Sequence, residues 1–298
     1  MGTSERYVRL TQLAQRAFSS ARLERSLRLF EAAESEAKRL GDRALVDRAF
    51  CNRCVVLLEL ERLDSEVGEL KHVLMRSRDP FTSWMAAYYT SQVYKAEGNV
   101  ARALAYVRRA SELADACGET RAVAASANEH GTLALVDSRF AEARACFEQA
   151  LRLSEATSLD AMGRAIIRDN LGYCLMCTGE VDTGIELCRD AAATLEGVGS
   201  AQYLAEVYQD LCYGHLQRGE FAAARTFGEQ ALDHARRFQL PTIERNTLML
   251  LADAAMDEGD EESTEAYLDR LSAYYPDFHG MKNFLRAFNV REVINLKA

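Results

Sequence analysis

The sequence predicts an all-α protein, a right-handed superhelical solenoid of about seven antiparallel helix pairs followed by a C-terminal capping helix. Three observations carry that prediction. The 298 residues are 48% hydrophobic with only three prolines, Pro80, Pro241 and Pro276, and alanine, leucine, arginine and glutamate dominate, a composition that favours long helices. Alternating runs of valine, isoleucine and threonine, the mark of half-buried strands, are missing. A short break in helical pattern recurs about every 40 residues.

The break is clearest at Gly98 ("AEGNV"), Gly179 ("CTGE"), Gly219 ("QRGEF") and Gly259 ("DEGDE"), and weaker at Ala21, Glu61 and Ser138. Successive intervals are 40, 37, 40, 41, 40 and 40 residues. Aligned on these anchors, other columns agree. Seven residues before them stand Ala14, Cys54, Ser91, Gly131, Gly172, Cys212 and Ala252, all small. Two residues after come Leu23, Leu63, Val100, Phe140, Val181 and Phe221, with Glu261 the exception. Nine after are Phe30, Leu70, Val107, Phe147, Cys188, Gly228 and Leu268. Twelve after are Ala33, Val73, Ala110, Ala150, Ala191, Ala231 and Leu271. The physical reading is a helix pair. The glycine-type anchor ends one helix in a left-handed turn, the small residue lets the partner helix approach, and the apolar columns face partner and neighbour. One pair cannot bury its own apolar face, so pairs stack.

The segments "NLGYCLMCTGEVDTGIELCRDA" and "DLCYGHLQRGEFAAARTFGEQAL" resemble the first-helix, turn and second-helix pattern of the tetratricopeptide repeat (TPR) family, and Pro276 matches that family's closing proline. Units near 40 residues are similar to the longer-helix variety found in bacterial regulator sensor domains and peptide-pheromone receptors. The expected repeats run near 7–40, 47–79, 84–118, 124–158, 165–199, 205–240 and 245–276, the first two degenerate, with 277–298 as a capping or docking helix.

Cysteine is the main candidate for chemistry. Two Cys-x-x-Cys pairs, Cys51/Cys54 and Cys174/Cys177, could in principle hold zinc or act as a redox centre. They fall on first helices three repeats apart, with stacked layers roughly 10 Å thick between them. Cys54, Cys188 and Cys212 occupy packing columns, where a free thiol behaves as a small hydrophobe. The expectation is packing, with Cys177 alone aimed at the groove. The five histidines are spread along the chain with no His-x-x-x-His or His–Cys cluster, and no phosphate-binding, nucleophile-elbow or dinucleotide motif occurs. The expectations are therefore no catalytic residue, no metal and no cofactor.

Net charge is −9 with a pI near 5.3, which argues against a nucleic-acid partner. No apolar run could span a membrane. The first ten residues lack a signal-peptide core and, with Arg6 where Ser or Thr is required, fail the myristoylation pattern. A cytoplasmic chain with reduced thiols, and without a fused effector domain, is expected.

The resemblance implies that first helices line a concave groove. The partner-binding residues expected there are Tyr88, Gln92, Lys95, Asn128, Asp169, Asn170, Tyr173, Met176, Glu206, Gln209, Tyr213 and Asp253. Tyr173 and Tyr213 share one column in adjacent repeats and offer apolar faces with polar tips. Acidic positions outnumber basic ones, and the family's basic carboxylate clamp is missing. The expected partner is a protein or peptide, neutral to basic and partly apolar. After Pro276, Met281, Phe284, Leu285 and Phe288 form one apolar stripe and Val290, Val293, Ile294 and Leu296 another, with Asn289 a candidate cap. This tail is expected either to fold back over the last repeat or to dock, through Phe284, Phe288, Val293 and Ile294, on a second copy or a partner. The functional expectation is a non-catalytic scaffold or adaptor, with a sensor for a small peptide or metabolite as the alternative.

Overall fold

The computed structural model describes residues 3–20, 22–60, 62–155, 161–201 and 203–297. Two of the seven anchors, Ala21 and Glu61, lie outside the described residues, as does the expected end of the fourth repeat at 158. Among the described residues there are sixteen α-helices, two short 3₁₀ turns and no strand. The helices are α1 (Thr3–Ser19), α2 (Leu23–Leu40), α3 (Arg43–Glu59), α4 (Val67–Arg76), α5 (Pro80–Ala96), α6 (Val100–Cys117), α7 (Thr120–Val136) and α8 (Phe140–Glu155), followed by α9 (Ala161–Cys177), α10 (Val181–Val198), α11 (Leu204–Gln217), α12 (Phe221–Arg237), α13 (Pro241–Glu258), α14 (Glu261–Leu271), α15 (Phe278–Ala287) and α16 (Val290–Val293). Contacts divide the chain into two compact units, 1–133 and 134–298.

The pairing follows from the sequence columns. α2, α6, α8, α10, α12 and α14 each begin at the residue two after an anchor. Every residue in the columns seven before, nine after and twelve after the anchors is buried. Gly98, Gly179, Gly219 and Gly259 take positive φ between 70° and 92°, the left-handed turn that closes a helix without a Cβ clash. Ser138 adopts the same turn, φ 55°, without being glycine.

Helix partners touch where side chains are smallest. In the first unit the Ser26 hydroxyl donates to the Ala14 carbonyl at 2.9 Å, and Ser91 donates to the Ala103 carbonyl at 2.9 Å. In the second unit α9 and α10 meet at Gly172 and Gly184. A Cβ added at Gly184 would lie 2.5 Å from the Gly172 carbonyl oxygen. Met176 sits in the same layer, against the backbone of both Gly184 and Gly214.

Side-chain N-caps start several of the helices. Asp42 accepts from the Leu45 amide at 3.1 Å, Asp79 from Thr82 at 3.1 Å, and Asp277 from Gly280 at 3.2 Å, each satisfying an amide the helix leaves open. Past α14, α15 buries Leu285 but leaves Phe284 and Phe288 exposed, their rings 4.9 Å apart. The segment that follows turns back onto α11 and α13.

Candidate functional site

The first-helix face of the first unit is largely closed by its own side chains. Gln92 and Lys95 on α5 both donate to Glu129 on α7, at 2.7 and 2.9 Å. Tyr88 stacks on Trp84 at 5.4 Å, and the Trp84 indole donates to Ser126 at 2.9 Å. Asn128 is half-buried on α7. Beside these lies a cavity of about 830 Å³ lined by residues that include Tyr7, Thr11, Arg48, Asn52, Trp84 and Tyr89. Arg48 is already engaged: it pairs with Asp79, donates to Thr82 at 2.7 Å and lies over the Phe81 ring.

The second unit presents a more pointed arrangement. Asp169, Asn170 and Tyr173 come from α9, Glu206, Gln209, Asp210 and Tyr213 from α11, and Asn246, Asp253 and Asp257 from α13. Tyr173 and Tyr213 are neighbours, ring centroids 5.6 Å apart. Gln209 bridges to the next repeat, donating to the Ile243 carbonyl at 2.9 Å and to Thr247 at 3.0 Å. Met176 faces the helix interior, for the reason the two glycines give.

Residues 290–297 occupy this groove. The Lys297 ammonium lies 2.6 Å from Glu206 Oε1, 2.8 Å from Asp210 Oδ2 and 3.8 Å from Asp169 Oδ2, and 5.2 Å from the Tyr173 ring centre. Its side chain is 4% exposed. The Leu296 amide donates to the Tyr173 hydroxyl at 2.9 Å, and Asn246 donates to the Leu296 carbonyl at 3.5 Å. Asn295 donates to the Leu135 carbonyl at 2.8 Å. Arg291 donates to Asp253 at 2.7 Å and to the Leu216 carbonyl at 3.1 Å, and pairs with Asp257. The Val290 amide donates to Asp253 at 3.2 Å.

The electrostatics follow from burial. Desolvation raises the Asp169 carboxyl to about 6 and Asp210 well above the usual carboxylate range, against the pull of Lys297. Burial works to lower the Lys297 ammonium, but Asp210, Glu206 and Asp169 hold it well above the ordinary lysine value. Three carboxylates thus share one ammonium. Asp169 Oδ1 and Asp210 Oδ1 are buried without a hydrogen-bond partner among the described residues. Burial likewise raises the Asp253 carboxyl, opposed by Arg291.

Of the tail residues expected to dock, Phe284, Phe288 and Val293 are exposed and Ile294 is half-buried. The groove is engaged by Val290, Arg291, Asn295, Leu296 and Lys297 instead. Polar anchors and two buried apolar side chains, Val290 and Leu296, seat the segment together.

Five of the cysteines, Cys51, Cys54, Cys174, Cys188 and Cys212, are buried between helices. All eight cysteines are free. Burial raises Cys51 and Cys174 to about 12, which makes them poor nucleophiles. Cys177 is half-buried, 3.9 Å from the Tyr213 hydroxyl. His215 packs on Phe227 and contacts Glu220 at 2.6 Å. Among the described residues no group of three or more His, Cys, Asp or Glu is placed to hold a metal ion. No helix among them is long and apolar enough to cross a membrane.

No family model matches the chain, and no curated protein matches it. Solved structures do. The nearly identical TPR-like repeats of a Podosopora anserina kinesin light chain align with a TM-score of 0.51 at 16% identity, over 66% of this chain and 96% of that one. The fold is a TPR-like helical repeat. A Rap protein complexed with competence and sporulation factor aligns with this TPR-like chain at a TM-score of 0.75 and 11% identity, over 95% of this chain and 80% of that one. NprR in complex with its cognate peptide NprX aligns at 0.69 and 13%, over 93% and 81%. At such identities the likeness is one of fold.

Proposed function

We propose that this TPR-like protein is a non-catalytic regulator or adaptor that binds a peptide segment along the first-helix groove of its second unit. The observation that carries the reading is the groove itself. Asp169, Glu206, Asp210, Asp253 and Asp257 line it beside Tyr173 and Tyr213, and it already accommodates a basic, partly apolar stretch of chain. Carboxylates on successive helices read positive charge along an extended segment, while aromatic faces take apolar side chains. Groove-lining first helices are the surface a helical solenoid leaves unpaired. That NprR was solved with a cognate peptide supports a short peptide as the ligand class, and with it the sensor form of the reading over a scaffold for a folded partner.

Selection from a random peptide display library tests this. Wild type should enrich sequences with spaced basic residues and apolar neighbours. An Asp253→Lys/Asp257→Lys variant of unchanged helical content should lose them. No enrichment by wild type, or the same sequences enriched by both proteins, would sink the reading.

A further inference from the structure

We propose that residues 290–297 are a resident stand-in for the groove's ligand, and that the ligand is a linear peptide presenting Arg-x-x-x-Asn-Leu-Lys, or side chains of the same chemistry, which displaces them. The proposal rests on the reading of the groove as a peptide site and specifies what it reads.

The segment is held by two buried apolar side chains, Val290 and Leu296, and by a few polar anchors. Arg291 takes the paired carboxylates of Asp253 and Asp257. Six residues later Lys297 enters the pocket of Asp169, Glu206 and Asp210. Between them Asn295 reads the backbone of α7 at Leu135, and the main chain of Leu296 is fixed by Tyr173 and Asn246. Val293 points away, 59% exposed. The lead-in, α15 and Phe288, is loosely covered by comparison, with Phe284 44% and Phe288 54% exposed.

Energetics make the docked state reversible. A buried ion pair roughly breaks even against its hydration, because desolvation offsets most of the Coulomb attraction. On release Lys297 and Arg291 regain water, and Asp169 and Asp210 ionise freely. Docked and open states therefore lie within reach of each other, and a competing segment with the same anchors shifts the population. A segment fused to its site has a high effective concentration, so an external ligand must make the same contacts at least as well. This is why the specificity is legible from the occupant.

The test uses a fluorescent peptide of residues 289–297, NVREVINLK, and two forms of the whole chain, wild type and Arg291→Ala/Lys297→Ala. With its own segment weakened, the variant should bind the peptide roughly tenfold or more tighter than wild type, since the internal competitor is removed. A peptide carrying Lys297→Glu should bind neither form. Absence of binding to a folded variant whose residues 290–297 exchange hydrogen freely would overturn the inference. If library-selected basic peptides bind that emptied groove while NVREVINLK does not, the inference falls and the functional reading stands. If no peptide binds it, both fall. Should the variant fail to fold, a protease site between Phe288 and Asn289, cut after folding, decides the matter. A severed segment that exchanges with added peptide supports the proposal, and one that stays fixed contradicts it.

Discussion

Lys297 Nζ lies 2.8 Å from Asp210 Oδ2 although 87 positions separate the two in the chain. Both side chains are almost wholly buried. A pair so placed is costly to break on one side only, because the remaining charge is left without water or partner. In a double-mutant cycle with Lys297→Met and Asp210→Asn, the double change should destabilise by less than the two single changes added together. The expected coupling is about 1–3 kcal/mol, read from urea denaturation. A coupling near zero would mean the pair is not formed in solution.

The same cluster sets a pH dependence. Asp169 is raised to about 6 and Asp210 is also raised well above the usual carboxylate range, both chiefly by burial, facing Lys297, Glu206 and the Cys188 thiol. The folded chain therefore holds protons here that the unfolded chain has released. The contribution to stability is greatest at about pH 4 and is lost as pH rises through about 6, following linkage. An Asp169→Asn/Asp210→Asn variant lacks this titration. Its melting temperature relative to wild type should rise steadily between pH 4 and 7 in parallel scans. A constant difference would contradict the burial of the pair.

Gly184→Ala tests the close approach of α9 and α10. The added Cβ would meet the Gly172 carbonyl oxygen at 2.5 Å, and backbone cannot swing aside as a side chain can. Alanine gains roughly 1 kcal/mol of helix propensity over glycine, yet overpacking costs about 1–3 kcal/mol. A net loss of stability is expected by chemical denaturation. Unchanged or higher stability would show that the helices are farther apart.

Ser138→Gly should act in the opposite direction. Ser138 holds φ 55° at a turn where four other repeats place glycine. Its amide donates to the Leu135 carbonyl at 2.8 Å, and the Arg139 amide to Ala134 at 2.8 Å, so the turn must keep its left-handed geometry. Glycine removes the Cβ strain while raising the entropy of the unfolded chain. A gain of about 0.5–1 kcal/mol in thermal or urea melts is expected.

The helix pairs were legible because their determinants are local and periodic. One further column was available and unread. Five residues after the anchors stand Ser26, Ala103, Ala143, Gly184, Ala224 and Thr264, with Glu66 the exception, the small partners of the column seven before. Gly41, Gly118 and Gly199 likewise mark the ends of second helices, each with positive φ. Groove candidates such as Asp169, Glu206, Tyr173 and Asp253 could be named from column position, and the expectation of a neutral to basic, partly apolar binding segment came from their charge. Folding back of the tail was one of the two expectations, but that it reaches past the last repeat to Tyr173 and Leu135 could not be read locally. Asn295 meets Leu135 across 160 residues, and nothing periodic marks Arg291, Asn295 or Lys297. Apolar patterning named Phe284 and Phe288, which turn outward to pack on each other, and also Val290 and Leu296, which are buried.

Hydrogen exchange on the native chain tests the occupied groove most directly. Two amides report on it, Val290 donating to Asp253 and Leu296 donating to Tyr173. If the segment is seated, both should exchange well below the unprotected rate, and Lys297→Glu should release them while α1–α6 stay protected. Exchange of both amides at the free-peptide rate in wild type would mean that residues 290–297 do not rest in the groove, and the account built on them would fail.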